Sequence, residues 1–340
     1  MHVANEALEG LFDQDGPLLQ RRQWLTFAAA AAVMASPGLA RAQQFPSKPI
    51  RLLNGFAAGG GSDNVVRLVT PALAAELKAT LVVENKTGAS GMIAVDYVVK
   101  APPDGYTLLM TPGSSVMIAP QAAPKPTFDA LTDLVPINTL GGSPLVISAH
   151  PSLKVRTLKE LIALSRTRPI SIASAGTGTM THLVIELLIK ATGDTFTHVS
   201  YKGSAPGIVD AIGGHVDAIV SDISSAMQHF SDGRLIPLAV TSEQRFDLLP
   251  NVPTANDTLP GVTGMNWTCA FAPAKTPQAI VDQISAAMVK VVARDDIRAS
   301  LKQNGLIPIT YRDPEAFRKF VVEEYTRWGK LIRERNIVAS

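Results

Sequence analysis

The sequence predicts an α/β protein of two lobes, each a mostly parallel sheet flanked by helices, with a ligand cleft between them. Three observations carry this. From Pro49 onward, short apolar runs bounded by Gly, Pro or Asn alternate with amphipathic stretches, the order that builds parallel strands joined by crossover helices. The strand–helix set occurs twice. The chain has 340 residues, room for two units at roughly 100–200 residues each.

Ahead of the first strand, Arg21-Arg22-Gln23-Trp24-Leu25 opens an uncharged, alanine-rich run over Thr26–Val33, and Ala40-Arg41-Ala42 closes the segment. A positive start, a short apolar core and a small-x-small site predict a secretory signal peptide over residues 1–42. The core falls short of the ~20 strongly apolar residues that span a bilayer. The paired arginines resemble a twin-arginine export motif, with Trp24 where phenylalanine is usual; an ordinary basic leader is the alternative. Glu6, Glu9, Asp13 and Asp15 make the preceding stretch unusually acidic. Gln43, and not a cysteine, directly follows Ala42, so no lipid anchor is expected there. Removal of residues 1–42 leaves 298 residues with 28 basic and 25 acidic side chains, and the expected location is a bacterial periplasm.

In the first half, Ile50–Leu53, Leu81–Glu84 and Tyr106–Met110 read as strands. Asn64–Lys78 and Met92–Lys100 carry apolar residues at helical spacing. The second set begins with a strand at Leu145–Ser148. Thr157-Leu158-Lys159-Glu160 then has the pattern of a capping box leading into a helix that runs to Ser165. Ile170–Ser174, Thr197–Tyr201, Ala218–Ser221 and Ile236–Val240 are strand-like, with helices over Thr181–Ala191 and Ala205–Gly213. Pro277–Ala293, Asp295–Asn304 and Pro314–Asn336 read as helices that return to the first lobe. Pro250–Gly264 and Pro120–Pro126 are the linker candidates. No solenoid-type repeat is present.

Composition excludes several classes. Hydrophobic residues make up 46% of the chain, too many for disorder. The formal charge of +2 provides no field that would hold nucleic acid unaided. The one cysteine, Cys269, excludes an internal disulfide and every Cys-based zinc spacing; flanked by Trp267 and Phe271, it reads as buried and inert.

Open α/β sheets bind ligands beyond the carboxyl ends of their strands, and there this sequence repeats one chemistry. Phe56-Ala57-Ala58-Gly59-Gly60-Gly61-Ser62-Asp63 follows the first strand, and Thr111-Pro112-Gly113-Ser114-Ser115 the third. Ser174-Ala175-Gly176-Thr177-Gly178-Thr179 leads into a helix at His182, and Tyr201-Lys202-Gly203-Ser204-Ala205 precedes another. Glycine lets a backbone approach a ligand closely, and free N–H groups at helix starts attract anions. Each loop alone is equally a tight turn; four together suit a small anion. Asp222, ending a strand, is placed either as a surface cap or as a reader of a ligand amine or hydroxyl.

Rival chemistries fail on detail. Gly176-x-Gly178-x-x-Thr181 lacks the third glycine of a dinucleotide loop, and neither GxxxxGK[ST] nor Gly-x-Ser-x-Gly occurs. His150, His182, His198, His215 and His229 lack the i, i+4 spacing of a metal-binding helix; His182 reads as a hydrogen-bond partner at a helix start. No catalytic residue, metal or cofactor is expected.

Further segments carry a resemblance: Phe45-Pro46-Ser47-Lys48-Pro49-Ile50-Arg51, Val83-Glu84-Asn85-Lys86, Pro103-Asp104-Gly105-Tyr106-Thr107-Leu108-Leu109, His198-Val199-Ser200-Tyr201-Lys202-Gly203, Leu238-Ala239-Val240-Thr241-Ser242 and Leu249-Pro250-Asn251-Val252-Pro253-Thr254. With the Gly59 and Gly176 loops they resemble the substrate-binding proteins of tripartite tricarboxylate transporters, the Bug receptors, over essentially the whole chain from Phe45. The resemblance implies a type II periplasmic-binding-protein fold, with lobe 1 over 45–143 and 263–340 and lobe 2 over 144–262. It implies a receptor, not an enzyme, for a small carboxylic acid: a di- or tricarboxylate, an amino acid or an aromatic acid.

Carried over residue by residue, the first carboxylate would be held by backbone N–H groups and water at Phe56, Ala57, Ala58, Gly59, Ser62 and Asp63. Gly176, Thr177, Gly178 and Thr179, with Tyr201 and Asp222, would hold the rest. Thr111, Ser114, Ser115, Ser174, His182 and Gly203 complete the candidate set from the loop reading. The implied partners are the large and small integral membrane subunits of a transporter, or a sensor protein, and the implied state is a monomer. The chain departs from the family where Gly55 and Ala57 replace prolines, Lys86 and Thr87 replace arginine and proline, and Ser90 replaces a common glycine. These departures bear on which acid is bound.

Overall fold

The computed structural model describes residues 45–193 and 195–338; the signal-peptide reading over 1–42 lies outside the described residues. Nine strands form one mixed sheet in the order β2-β1-β3-β9-β4-β7-β5-β6, with β8 also on β4. The strands are β1 (Ile50–Asn54), β2 (Leu81–Asn85), β3 (Thr107–Pro112), β4 (Leu134–Ala149), β5 (Ile170–Ser174), β6 (Phe196–Ser200), β7 (Ala218–Asp222), β8 (Ile236–Val240) and β9 (Met265–Pro273). The β1–β2, β1–β3, β5–β6 and β5–β7 pairs are parallel, as the strand–helix alternation predicts. The pairs that involve β4 or β9 are antiparallel.

Strand β4 passes from one strand group to the other. Leu134–Pro144 pairs with β9, and Leu145–Ala149 lies between β7 and β8. Its register against β9 shifts at Pro136/Asn138 and again at Thr139/Gly141, and such bulges bend a strand. The sequence reading found only Leu145–Ser148 of β4 and none of β9. Both strands are buried along most of their length, so the polar–apolar alternation that marks a half-exposed strand is missing, and Pro136, Gly141, Gly142 and Pro144 break the run.

The helices are α1 (Gly61–Leu77), α2 (Met92–Val99), α3 (Ser114–Met117), α4 (Ala119–Ala122), α5 (Leu158–Ser165), α6 (Met180–Thr192), α7 (Ser204–Ile212), α8 (Ile223–Ser231), α9 (Ala255–Thr258), α10 (Gln278–Ala293), α11 (Asp295–Gln303) and α12 (Pro314–Glu334). Helix α8 is absent from the sequence reading. Both linker candidates meet a helical turn: α4 overlaps the start of Pro120–Pro126, and α9 lies within Pro250–Gly264. Thr157 caps α5 by accepting from Glu160 N, but Glu160 reaches past it to Arg156 N at 2.6 Å; the capping box is half made there and complete at Thr254/Asp257.

Helix α10 packs on α1 and β4, and α12 packs on β4. Fully buried Phe317 of α12 meets Phe271 of β9 at 5.8 Å between ring centroids. Burial of one such side chain contributes roughly 1.5–3 kcal/mol, which anchors the C-terminal helix to the central strands.

Candidate functional site

The loops read from the sequence converge. The ends of β1, β3, β5 and β7 and the starts of α1, α6, α7 and α8 bound a cleft enclosing about 30 Å³, roughly the space of one water. Phe56, Ala57, Gly61, Ser62, Pro112 and Ser114 line it from one side, and Thr179, Met180, Thr181, Gly203, Ser204 and Asp222 from the other. Asn266 of β9 closes the floor.

The first loop is shaped by its own polar side chains. Asn54 Oδ1 accepts from Phe56 N at 3.1 Å and from the Ser62 hydroxyl at 3.2 Å. Thr111 accepts from Gly55 N at 3.2 Å. Asp63 accepts from Gly59 N (3.0 Å), Arg67 Nε (2.8 Å) and Asn85 Nδ2 (2.9 Å). Burial opposes ionisation of Asp63, yet the bonds from Arg67, Asn85 and Gly59 outweigh it and hold its carboxyl below the usual range. Thr111 and Asp63 therefore hold the loop from behind the cleft, while Ala58 and Gly59 sit exposed on its outer side. Ser115 is buried behind the loops, its hydroxyl without a hydrogen-bond partner among the described residues. The backbone at Gly55 leaves no room for a side chain, since a Cβ there would meet Gly91 Cα at 2.6 Å.

The loop between β5 and α6 has a buried scaffold. The Ser174 hydroxyl bonds His198 Nε2 at 2.6 Å and accepts from Gly176 N at 3.1 Å. Thr179 caps α6 and donates its hydroxyl proton to Gly176 O at 2.7 Å. Gly178 N donates to His182 Nδ1 at 3.2 Å, so the ring proton sits on Nε2, 3.3 Å from Glu186 Oε1. Glu186 also accepts from Arg335 Nε at 3.1 Å. His182 stacks on His198 with centroids 3.9 Å apart. Burial first, and the neighbouring His182 ring second, lower the pKa of His198 to about 4. Ser174, Gly176, Gly178 and His182 shape the loop rather than face the cleft, which places His182 as the helix-start hydrogen-bond partner read from the sequence. Thr177 lies at the rim, bonded through N–H and hydroxyl to Ser200 Oγ. Tyr201 turns away, donating its phenol to Asp210 at 2.7 Å; burial and that carboxylate push its pKa up to about 12.

Asp222 faces the cleft. It is 6% exposed and accepts from Asn266 Nδ2 at 3.0 Å. Burial raises its pKa against the opposing bonds from Asn266 and Ser204. Asn266 and Ser204 were missed as site residues. Ser204 stood in a flagged loop, and the isolated polar residue in Met265-Asn266-Trp267 was the available signal for Asn266.

The lining contains four helix starts, no Arg, Lys or His, and one carboxylate. Converging helix N-termini offer N–H donors and positive potential to an anion, while Asp222 offers an acceptor to a hydroxyl or an amine. Cys269 is buried and its thiol is pushed up by that burial, so it is inert here. Among the described residues no group of three His, Cys, Asp or Glu is arranged for a metal, and no helix is long and apolar enough to cross a membrane.

Comparison with known proteins is consistent across sequence and structure. The family model described as "Tripartite tricarboxylate transporter family receptor" matches residues 65–337. Protein BugT of Bordetella pertussis is 31% identical over 309 residues, covering 90% of this chain and 94% of that one. The solved structure of Rhodopseudomonas palustris Rpa4515 with adipate superposes with a TM-score of 0.83 at 29% identity, covering 86% of this chain and 99% of that one. MatC from the same organism, with bound malate, gives a TM-score of 0.80 at 28% identity, covering 85% of this chain and 100% of that one.

Proposed function

This chain belongs to the tripartite tricarboxylate transporter receptor family, and from that premise we propose that it captures a small carboxylic acid in the periplasm and presents it to the two membrane subunits of a transporter. As a member it is a solute-binding receptor with a two-lobe fold, not an enzyme. The observation that carries the ligand reading is the convergence of four helix N-termini on a cleft without cationic side chains. Backbone N–H groups at Ala57 and Ser62, both lining the cleft, would take the carboxylate oxygens, directly or through water, which costs little enthalpy relative to direct contact.

Asp222 sharpens the choice among acids. A second carboxylate beside it would meet like charge in a buried site, whereas a hydroxyl or an ammonium would donate to it. The proposed ligand therefore carries one carboxylate at the helix starts and a hydroxyl or amino group facing Asp222; a further carboxylate, if present, points away from Asp222. The cleft volume of about 30 Å³ is far below the ~300–1,000 Å³ usual for small-molecule sites. Entry thus requires the lobes, proposed at 45–143 with 263–340 and at 144–262, to separate and close again. Export by the leader over 1–42, action as a monomer and handover to the large and small membrane subunits complete the reading.

The test is native mass spectrometry of the purified protein for a co-purified acid, followed by thermal-shift screening of dicarboxylates, hydroxy acids, amino acids and aromatic acids. Binding to the native state must raise the melting temperature. Stabilisation by at least one acid supports the proposal; no response from any of them, together with ester or amide turnover, would sink it.

A further inference from the structure

We propose that the far face of strand β9 forms a second ligand site, for an amphipathic organic anion with an aromatic or aliphatic body. The inference starts from strand geometry, because successive side chains of a strand point to opposite faces. Asn266 reaches Asp222 in the cleft. Met265 and Trp267, its neighbours, line a separate cavity of about 740 Å³. That volume lies within the range of small-molecule sites and greatly exceeds the space in the cleft. No residue lines both cavities.

The floor is apolar and aromatic. Met265, Trp267 and Phe320 lie along it, with Trp267 and Phe320 edge to face at 5.0 Å. Such rings receive a flat or extended hydrocarbon body. The walls divide by charge. Glu324 is occupied by Trp328 Nε1 (2.7 Å) and Arg327 (3.4 Å), and Arg245 donates to Pro250 O at 3.2 Å. On α11, Arg298 and Lys302 line the cavity four residues apart on one helix face. Both are exposed, and neither side chain makes a hydrogen bond or ion pair among the described residues. Glu243 and Asp247, in the loop after β8, line the cavity from an element other than α11. An anionic end is therefore repelled from that loop and drawn to Arg298 and Lys302, which fixes the orientation of the occupant.

The chain reports on this cavity by itself. It contains three tryptophans; Trp24 belongs to the leader, and Trp267 and Trp328 both line the cavity. The experiment titrates the protein with 4-phenylbutyrate and, as the charge control, with phenethylamine, following tryptophan fluorescence. A saturable change with 4-phenylbutyrate and none with phenethylamine is expected. Affinity should survive within roughly twofold in Gly61→Val, whose added Cβ would stand 3.0 Å from Asp222 Cγ and crowd the cleft alone. It should fall by about tenfold or more in Arg298→Glu/Lys302→Glu, with the charge-assisted bonds gone. The milder Arg298→Gln/Lys302→Gln pair should lose affinity in the same direction, and provides the answer should the reversed pair fail to fold. Absence of saturable binding, equal response to the amine, or loss in Gly61→Val with retention in the α11 variants each overturns the site.

Discussion

Ser90 and Thr177 meet across the cleft: the Ser90 hydroxyl donates to the Thr177 carbonyl oxygen at 2.6 Å, tying the segment before α2 to the loop before α6. Ser90 makes this bond from a left-handed backbone, φ 54° and ψ 33°, a region that disfavours non-glycine residues. Ser90 is thus a residue in a strained backbone whose side chain bridges the two loops. The bond exists only when the loops are together, so it favours the closed arrangement proposed above.

Ser90→Ala keeps the strained backbone and deletes the bridge. A neutral hydrogen bond, here half-buried, contributes about 0.5–1.5 kcal/mol, so ligand affinity should fall roughly 2–10-fold. Isothermal titration with the acid identified by mass spectrometry reads the change. Ser90→Gly should lose the same affinity but be about 1 kcal/mol more stable to urea than Ser90→Ala, because glycine tolerates the left-handed conformation. Unchanged affinity in both variants would remove the bridge from closure.

Asp222 sets two expectations. Burial raises its folded pKa above the unfolded value. Below the unfolded value both states hold the proton; as pH rises, the unfolded chain ionises first and the native state loses relative stability. Asp222→Asn should therefore raise the melting temperature at pH 7, and the gain should vanish as pH falls toward about 4, the ordinary aspartate value. Asp222→Ala should also weaken an acid bearing a hydroxyl, such as malate, more than its hydroxyl-free counterpart succinate. Equal loss for the two acids removes Asp222 from specificity.

Gly55→Ala tests the backbone approach behind the first loop. Its Cβ would lie 2.6 Å from Gly91 Cα and 2.9 Å from Gly91 O, and both obstacles are backbone. The substitution should cost about 1–3 kcal/mol in urea unfolding, the usual toll of overpacking. By displacing the Phe56–Ala57 turn, it should also abolish acid binding in the thermal-shift assay. Binding at native affinity would show that the loop does not position the ligand.

His198 predicts the acid limit of the fold. Its folded pKa, lowered to about 4, lies below the ordinary value of 6.5. The native state therefore holds fewer protons than the unfolded chain between these values, and stability present above pH 6.5 is lost as pH falls through about 4. His198→Gln, which cannot titrate but can still bond Ser174, should flatten the melting-temperature profile across that window. An unchanged profile would assign acid loss to other groups.

Much of the architecture was legible because it is local. Period and punctuation marked β1–β3 and β5–β8, and glycine with hydroxyls marked the four loops that meet at the cleft. Strand β9 was invisible because burial along most of its length removes alternation, and with it went Asn266. Tyr201 and Ser174 show a different limit. Both stand in the right loops, but one phenol turns to Asp210 and one hydroxyl to His198, choices made by packing partners far along the chain.

The sequence by itself determined where strands stop and helices begin, since backbone preferences, caps and glycine positions act within a few residues. Tertiary structure alone decided which of those residues face the cleft, that Ser90 bridges to Thr177, and that β9 presents Asn266 to one cavity and Trp267 to another. Those outcomes depend on strand register and on contacts between residues as far apart as Asp222 and Asn266, and no local preference encodes them.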